Sequence, residues 1–212
     1  DLHPRVRRQR QMCIRDSMWK NPYDQLELPG TYGYDFGDYD SDPMDEDEDG
    51  HGTHCAGVIS AVSDNNKGIC GISNAKLMAL KVFNSAGTSY DSAIIAAFNY
   101  IYKAQTLGAN IAAINCSWGG GGSSSTSMKT LINQIGQNGS LFLFAAGNDG
   151  EDHNNAISDG CPYDLDSPYV VTVGASTQTD KKASFSDYGN KTVHLFAPGR
   201  NIFSTINSDV FY

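Results

Sequence analysis

Short apolar segments alternate with longer amphipathic ones along the middle of the chain, and this alternation constrains the fold more than any other feature. Lys76–Phe83 (KLMALKVF), Ile111–Ser117, Leu141–Ala146 (LFLFAA) and Tyr169–Gly174 (YVVTVG) read as strands. Between and before them lie three helix patterns. His54–Ser63 is entered from a Gly-rich turn, Asp91–Leu107 has Ser92 near its start and Gly108 as a stop, and Ser125–Gln137 is ended by Gly139. Strands separated by helices favour right-handed βαβ units and a parallel sheet. Uninterrupted apolar strands agree, because a parallel sheet is covered on both faces. The expected class is α/β, with no internal repeat.

The chain has 212 residues, enough for one large domain or part of one. Its apolar share of 40% suits a packed core, and no apolar run is long enough to span a membrane. The formal net charge of −9 is local in origin. Residues 35–49 contain Asp35, Asp38, Asp40, Asp42, Asp45, Glu46, Asp47, Glu48 and Asp49 without a base, and outside this run the charges cancel. No basic stripe crosses the body of the chain, which argues against a nucleic-acid partner. The cysteines are Cys13, Cys55, Cys70, Cys116 and Cys161. Their odd number and the lack of a close CxxC pair fit neither a zinc ribbon nor a dense disulfide framework. They are expected to act mainly as buried small hydrophobes, with room for one disulfide.

Residues 1–17 differ from the rest of the chain. They carry Arg5, Arg7, Arg8, Arg10 and Arg15, show no apolar periodicity, and lack the apolar stretch of a signal peptide. They are set aside as non-native-looking or disordered, and residues 18–212 are taken as the folded segment. Residues 18–50, rich in Gly, Tyr and Asp, read as loop.

Three motifs carry chemistry. His51 stands between Gly50 and Gly52 in GHGTHCAG at a helix entrance, where small neighbours leave room for a substrate to reach an imidazole base. The His51/His54 spacing also suits a metal pair, but the glutamate of HExxH is absent. Second, Ile114-Asn115-Cys116-Ser117-Trp118-Gly119-Gly120 ends a strand in glycines, which let a backbone approach closely. It is no phosphate loop, because no Gly-Lys-Ser/Thr follows. Third, Ala145-Ala146-Gly147-Asn148-Asp149-Gly150 ends the strand LFLFAA in a turn.

Together these motifs resemble those of the subtilisin-like serine proteases, in family order. Pro162 with Val170–Ala175, and Leu195-Phe196-Ala197-Pro198-Gly199, resemble later family segments. The resemblance covers roughly residues 19–212. It implies a subtilisin-like three-layer α/β fold with a mostly parallel central sheet, incomplete at both ends. It implies a serine endopeptidase working through an acyl-enzyme and an Asp-His-Ser triad. His51 would be the base and Asn148 the oxyanion donor. Ser117, Trp118, Gly119, Ala145, Ala146 and Gly147 would line the substrate. His54 would be a helix residue supporting the site.

The acid of the triad is expected before Trp19, because Trp19-Lys20-Asn21-Pro22 and Tyr34-Asp35-Phe36 resemble the family segment between acid and histidine. Asp16 lacks the Gly and the preceding apolar strand of that acid's turn. The serine is expected beyond Tyr212. Gly87-Thr88-Ser89 precedes Asn148, whereas the family's serine follows it, so Ser89 is expected to shape a helix entrance instead. The 212 residues alone are therefore expected to be inactive.

No cofactor is required for the implied chemistry. Structural calcium is left open by the acidic run and by Asp64–Ile69, with no ligand set assigned; the acidic run matches no EF-hand. The implied partners are polypeptide substrates, the expected state is a monomer, and the implied location is secreted or cell-surface. Asn138-Gly139-Ser140 and Asn190-Lys191-Thr192 match the glycosylation pattern. Two rival readings are a catalytically degenerate relative that binds peptide and a calcium-binding structural domain.

Overall fold

The structure, a computed structural model, describes residues 18–24, 27–45, 50–66, 68–119, 125–154 and 166–206. The basic segment with Cys13 and Asp16, Glu46–Asp49 of the acidic run, Gly120, Cys161, Pro162 and the last six residues lie outside them. The chain divides into two compact units, residues 1–97 with 203–212, and residues 98–202.

In the first unit, strand β1 (Gly33–Asp35) pairs in parallel with β2 (Ala79–Lys81). Helix α1 runs over His51–Ser60, three residues earlier at each end than the sequence pattern predicts. Two features explain its start. Gly50 takes a left-handed conformation (φ 59°), which glycine adopts without a Cβ penalty. Eight residues before Thr53, the Asp45 carboxylate accepts both the Thr53 amide (2.9 Å) and its hydroxyl (3.0 Å). This satisfies an orphan donor at the positive end of the helix. The chain returns late to this unit, where Ser204 and Thr205 donate their hydroxyls to the carbonyls of His54 and Thr53. Near the start of the described chain, buried Asn21 donates to the Leu28 and Gly30 carbonyls and closes a loop within the segment 18–50.

The acidic run is only partly solvated. Asp35 is 2% exposed. One of its oxygens accepts the Gly37 and Asp38 amides, and the other lies 2.5 Å from Lys81 Nζ. Asp38 adds a second contact to the same amine at 2.9 Å. The hydrogen bond from Lys81 holds the Asp38 carboxyl below its ordinary range; partial burial opposes this and the Ser85 amide reinforces it. For Lys81, burial pulls the amine down, but the bonds to Asp35 and Asp38 outweigh it, so its pKa lies above the ordinary value.

These directions set a pH window. The Asp38 contribution is present above about pH 4 and is lost as pH falls through its lowered folded value. The Lys81 contribution is present below about pH 10.4 and is lost as pH rises through its raised folded value. Lys81→Met is expected to destabilise the protein at neutral pH by about 3–5 kcal/mol, because it strands a buried carboxylate. Urea midpoints across pH should show the gap between wild type and variant shrinking at both ends of that window.

The second unit contains a four-stranded parallel sheet in the order β3 (Ala113–Cys116), β4 (Leu141–Ala145), β5 (Val170–Ser176), β6 (Leu195–Pro198). The predicted strands are present; β2, β3 and β4 are shorter than expected, while β5 starts one residue later and runs two residues further. β1 and β6 are additions, β1 in a segment read as loop and β6 in a segment not read as a strand. Helix α2 (Asp91–Thr106) begins in the first unit and continues into the second. Helix α3 (Thr126–Gln137) is capped by the Ser125 hydroxyl, which accepts the Met128 amide at 3.2 Å. Its buried residues Met128, Leu131, Ile132, Ile135 and Gly136 recur at helical spacing.

Both helices meet one face of the sheet. Phe142 is fully buried and meets the ring of Phe98 on α2 edge-on at 5.0 Å between centroids, while Gly136 of α3 lies against Tyr169 at the entrance to β5. Gln105 ties the helices together by donating to the Ile135 carbonyl and the Ser140 hydroxyl. Leu141 and Leu195, on the opposite face, are exposed.

Candidate active site

The second unit gathers most of the predicted site residues at one edge. In a parallel sheet all strands point the same way, so the turns after adjacent strands β3 and β4 emerge side by side. Ligands characteristically bind outside these carboxyl ends. Cys116 pairs with Phe144 at the last rung, so Ser117, Trp118 and Gly119 leave β3 beside Ala145, Ala146, Gly147 and Asn148 leaving β4. Trp118 is half-buried, and its ring meets Phe144 edge-on at 5.5 Å. Ser117 and Asn115 exchange side-chain hydrogen bonds at 3.0 and 3.3 Å, and Gly119 is exposed. Residues 117–119 lie just beyond the last rung of the β3–β4 ladder.

Ala146 is buried and donates its amide to the Val173 carbonyl at 2.9 Å, which extends the ladder one step past β4. The chain then turns. Gly147 has φ 115°, and a Cβ there would lie 2.1 Å from an Asp187 carboxylate oxygen. Both conformation and space therefore require glycine. Asn148 follows, exposed, with its side chain available to a ligand and without positive φ.

His51 belongs to the first unit, as the first residue of α1 and exposed. Its Nε2 lies 3.8 Å from the Cys55 sulfur one helical turn on, so the two side chains share a face. His54 sits half-buried in the same helix.

Of the cysteines, Cys116 is buried as expected, Cys55 is half-buried, and Cys70 is exposed, which departs from the buried-hydrophobe expectation. Cys70 lies in the loop after α1. Ser89 stands two residues before α2 begins and forms an antiparallel bridge with Phe83. No group of three metal-ligating side chains occurs among the described residues. Three acids of the run are engaged within the fold: Asp35 and Asp38 with Lys81, and Asp45 with α1.

One residue of this region gives no signal in the sequence. Asp187 lies in Ser184-Phe185-Ser186-Asp187-Tyr188-Gly189, which reads as a plain loop. It is 3% exposed and accepts the Asp149 and Glu151 amides beside Asn148.

The model of the subtilase family matches residues 11–211. Thermitase from Thermoactinomyces vulgaris is 33% identical over 180 residues, which is 84% of this chain and 59% of thermitase. A subtilisin-like protease 1 of Arthroderma otae is 40% identical over 167 residues, 77% of this chain and 31% of that protein. An extracellular basic protease of Dichelobacter nodosus is 36% identical over 163 residues, 74% of this chain and 26% of that protein. Among solved structures, a cold-adapted subtilisin-like serine proteinase superposes with a TM-score of 0.66 at 30% identity, covering 90% of this chain and 63% of that one. The chain thus spans less than two thirds of each of these relatives.

Proposed function

This chain belongs to the subtilase family, and on that premise we propose that the full-length protein is a serine endopeptidase that cleaves polypeptides through an acyl-enzyme. The observation that carries the reading is the side-by-side exit of Ser117–Gly119 and Ala145–Asn148 from adjacent parallel strands. Such an arrangement offers an extended backbone for the substrate and a side-chain amide for the developing oxyanion.

In this reading His51 is the general base. It takes the proton from the nucleophilic hydroxyl and returns it to the leaving amine. Asn148 donates to the oxygen of the tetrahedral intermediate. The backbone of Ser117, Trp118 and Gly119 pairs with the substrate, while Ala145, Ala146 and Gly147 form the opposite wall. The indole of Trp118 narrows the space for a substrate side chain between them. The nucleophilic serine and the orienting aspartate lie outside these motifs. In this reading residues 18–212 form the peptidase segment, and the family match begins a few residues earlier, at residue 11.

The triad chemistry itself runs without a cofactor. A structural calcium, if bound, would be held by the oxygen-rich acidic run or the loop Asp64–Ile69, and Asp35 and Asp38 of that run already face Lys81. Relatives from Dichelobacter nodosus and Xanthomonas campestris are named extracellular proteases, which supports export of this protein too. No helix among the described residues is long and apolar enough to cross a membrane. A monomeric enzyme is the simplest state consistent with the reading.

A fluorophosphonate probe tests the proposal, because it reacts only with a serine activated by its base. The folded full-length protein should label covalently and hydrolyse a denatured protein substrate, and peptide inhibitors should protect it. A folded protein that binds peptide but takes no probe would overturn the enzymatic reading in favour of a peptide-binding relative.

A further inference from the structure

An oxyanion donor must be held in place before the reaction, yet Asn148 stands exposed in an irregular turn beyond the end of β4. The structure shows what fixes that turn. The segment 185–188 runs beside it and exchanges backbone hydrogen bonds with it. Gly150 donates to the Phe185 carbonyl (2.8 Å), Asp187 to the Gly147 carbonyl (3.2 Å), and Tyr188 to the Glu151 carbonyl (2.9 Å).

At the centre of this lacing sits the Asp187 carboxylate, and its two oxygens grip the turn on either side of Asn148. One oxygen accepts the amide of Asp149, the residue immediately after Asn148, at 2.9 Å, and the amide of Glu151 at 3.0 Å. The other packs beneath Gly147, the residue immediately before Asn148, and lies 3.2 Å from Nε2 of His153. His153 is itself only 4% exposed. All of these residues belong to the second unit.

We propose that Asp187 is a positioning residue for the oxyanion donor: its carboxylate sets the backbone on both sides of Asn148 and thereby aims the Asn148 amide. The inference rests on the endopeptidase reading above. It follows from the geometric demands of catalysis, since a misplacement of about 1 Å in a positioned group can cost on the order of 10²-fold in rate. The acceptor oxygen matters here more than the charge. An asparagine at 187 keeps an oxygen in the place where the Asp149 and Glu151 amides point, and alanine removes it.

The test uses the full-length protein with a peptide ester substrate and active sites counted by fluorophosphonate titration, so that misfolded molecules drop out of the rate. Asp187→Ala should lower kcat by roughly 10–10²-fold and leave KM unchanged, because ground-state binding does not use the oxyanion donor. Asp187→Asn should restore most of kcat. In an Asn148→Ala background, Asp187→Ala should have little further effect, because the group it aims is already gone. A residue that merely stabilised the fold would instead lower activity independently of Asn148.

The proposal is overturned if Asp187→Ala keeps wild-type kcat, if its loss falls on KM, or if its loss multiplies with that of Asn148→Ala. If Asp187→Ala does not accumulate, Asp187→Glu takes its place with the same expectations, since the extra methylene displaces the acceptor while keeping the charge. A wild-type protein that neither labels nor turns over substrate would sink the endopeptidase reading itself. A normal Asp187→Ala rate beside an active wild type would sink only the positioning role.

Discussion

Replacing His51 with alanine in the full-length protein should lower kcat by about 10⁶-fold with little change in KM; that figure is the loss known for the corresponding change in subtilisin, a relative, and is adopted from it. The direction follows from the chemistry. A serine hydroxyl at neutral pH is a weak nucleophile and needs a base to take its proton as it attacks. His51 opens α1 and is exposed, so its removal leaves no cavity in the core. The Asp45 cap on Thr53 and the bonds from Ser204 and Thr205 to the helix backbone do not involve the imidazole. Stability should therefore change by no more than about 0.5 kcal/mol, the usual range for surface substitutions. A stopped assay beside a urea titration separates the two quantities. A variant that keeps wild-type turnover would remove His51 from the mechanism.

The second large effect concerns Asn148. Asn148→Ala should reduce kcat by about 10²–10³-fold and leave KM unchanged, because the donor acts on charge that develops only in the transition state; the magnitude again comes from the equivalent residue of subtilisin. The substitution is conformationally mild, since Asn148 is exposed and has no positive φ. The tight part of the turn is Gly147, which stays in place. Steady-state kinetics with titrated active sites decides the matter. A variant that raised KM at constant kcat would show Asn148 to be a binding residue and not an oxyanion donor.

Parts of the fold are legible in the sequence for a definite reason. A strand such as LFLFAA carries its signal within a few consecutive residues, and α3 shows its buried face at helical spacing together with its Ser125 cap. Local sequence is enough for such elements because their hydrogen bonds and apolar faces come from neighbouring residues. β1 and β6 give no such signal, because GYD and LFAP are too short to show a period. They are strands only because Ala79–Lys81 and Val173–Ser176 lie alongside to complete their ladders. The start of α1 differs from its sequence pattern for a similar reason, as the Asp45 carboxylate that caps it comes from a loop eight residues back.

The candidate site divides along the same line. GHGTHCAG and the turn around Asn148 are visible in the sequence because each is a contiguous motif, and that contiguity, with the family likeness, identifies His51 and Asn148 as candidates. The meeting of Ser117–Gly119 with Ala145–Asn148 requires the β3–β4 register, which only the folded sheet supplies. Asp35 is one acid among nine in the run 35–49, and only folding makes Lys81, 46 residues away, its buried partner. Asp187 is an ordinary loop residue in the sequence, and only folding puts its carboxylate under Gly147 and beside Asn148, 38 residues from the Asp149 amide it accepts. Sequence alone thus determined the family, the alternation of elements and the groups able to do chemistry, because these are written in short contiguous stretches. The tertiary structure decided which carboxylates are buried, what they hold and how the turn bearing Asn148 is fixed, because burial and long-range hydrogen bonds depend on residues that only folding brings together.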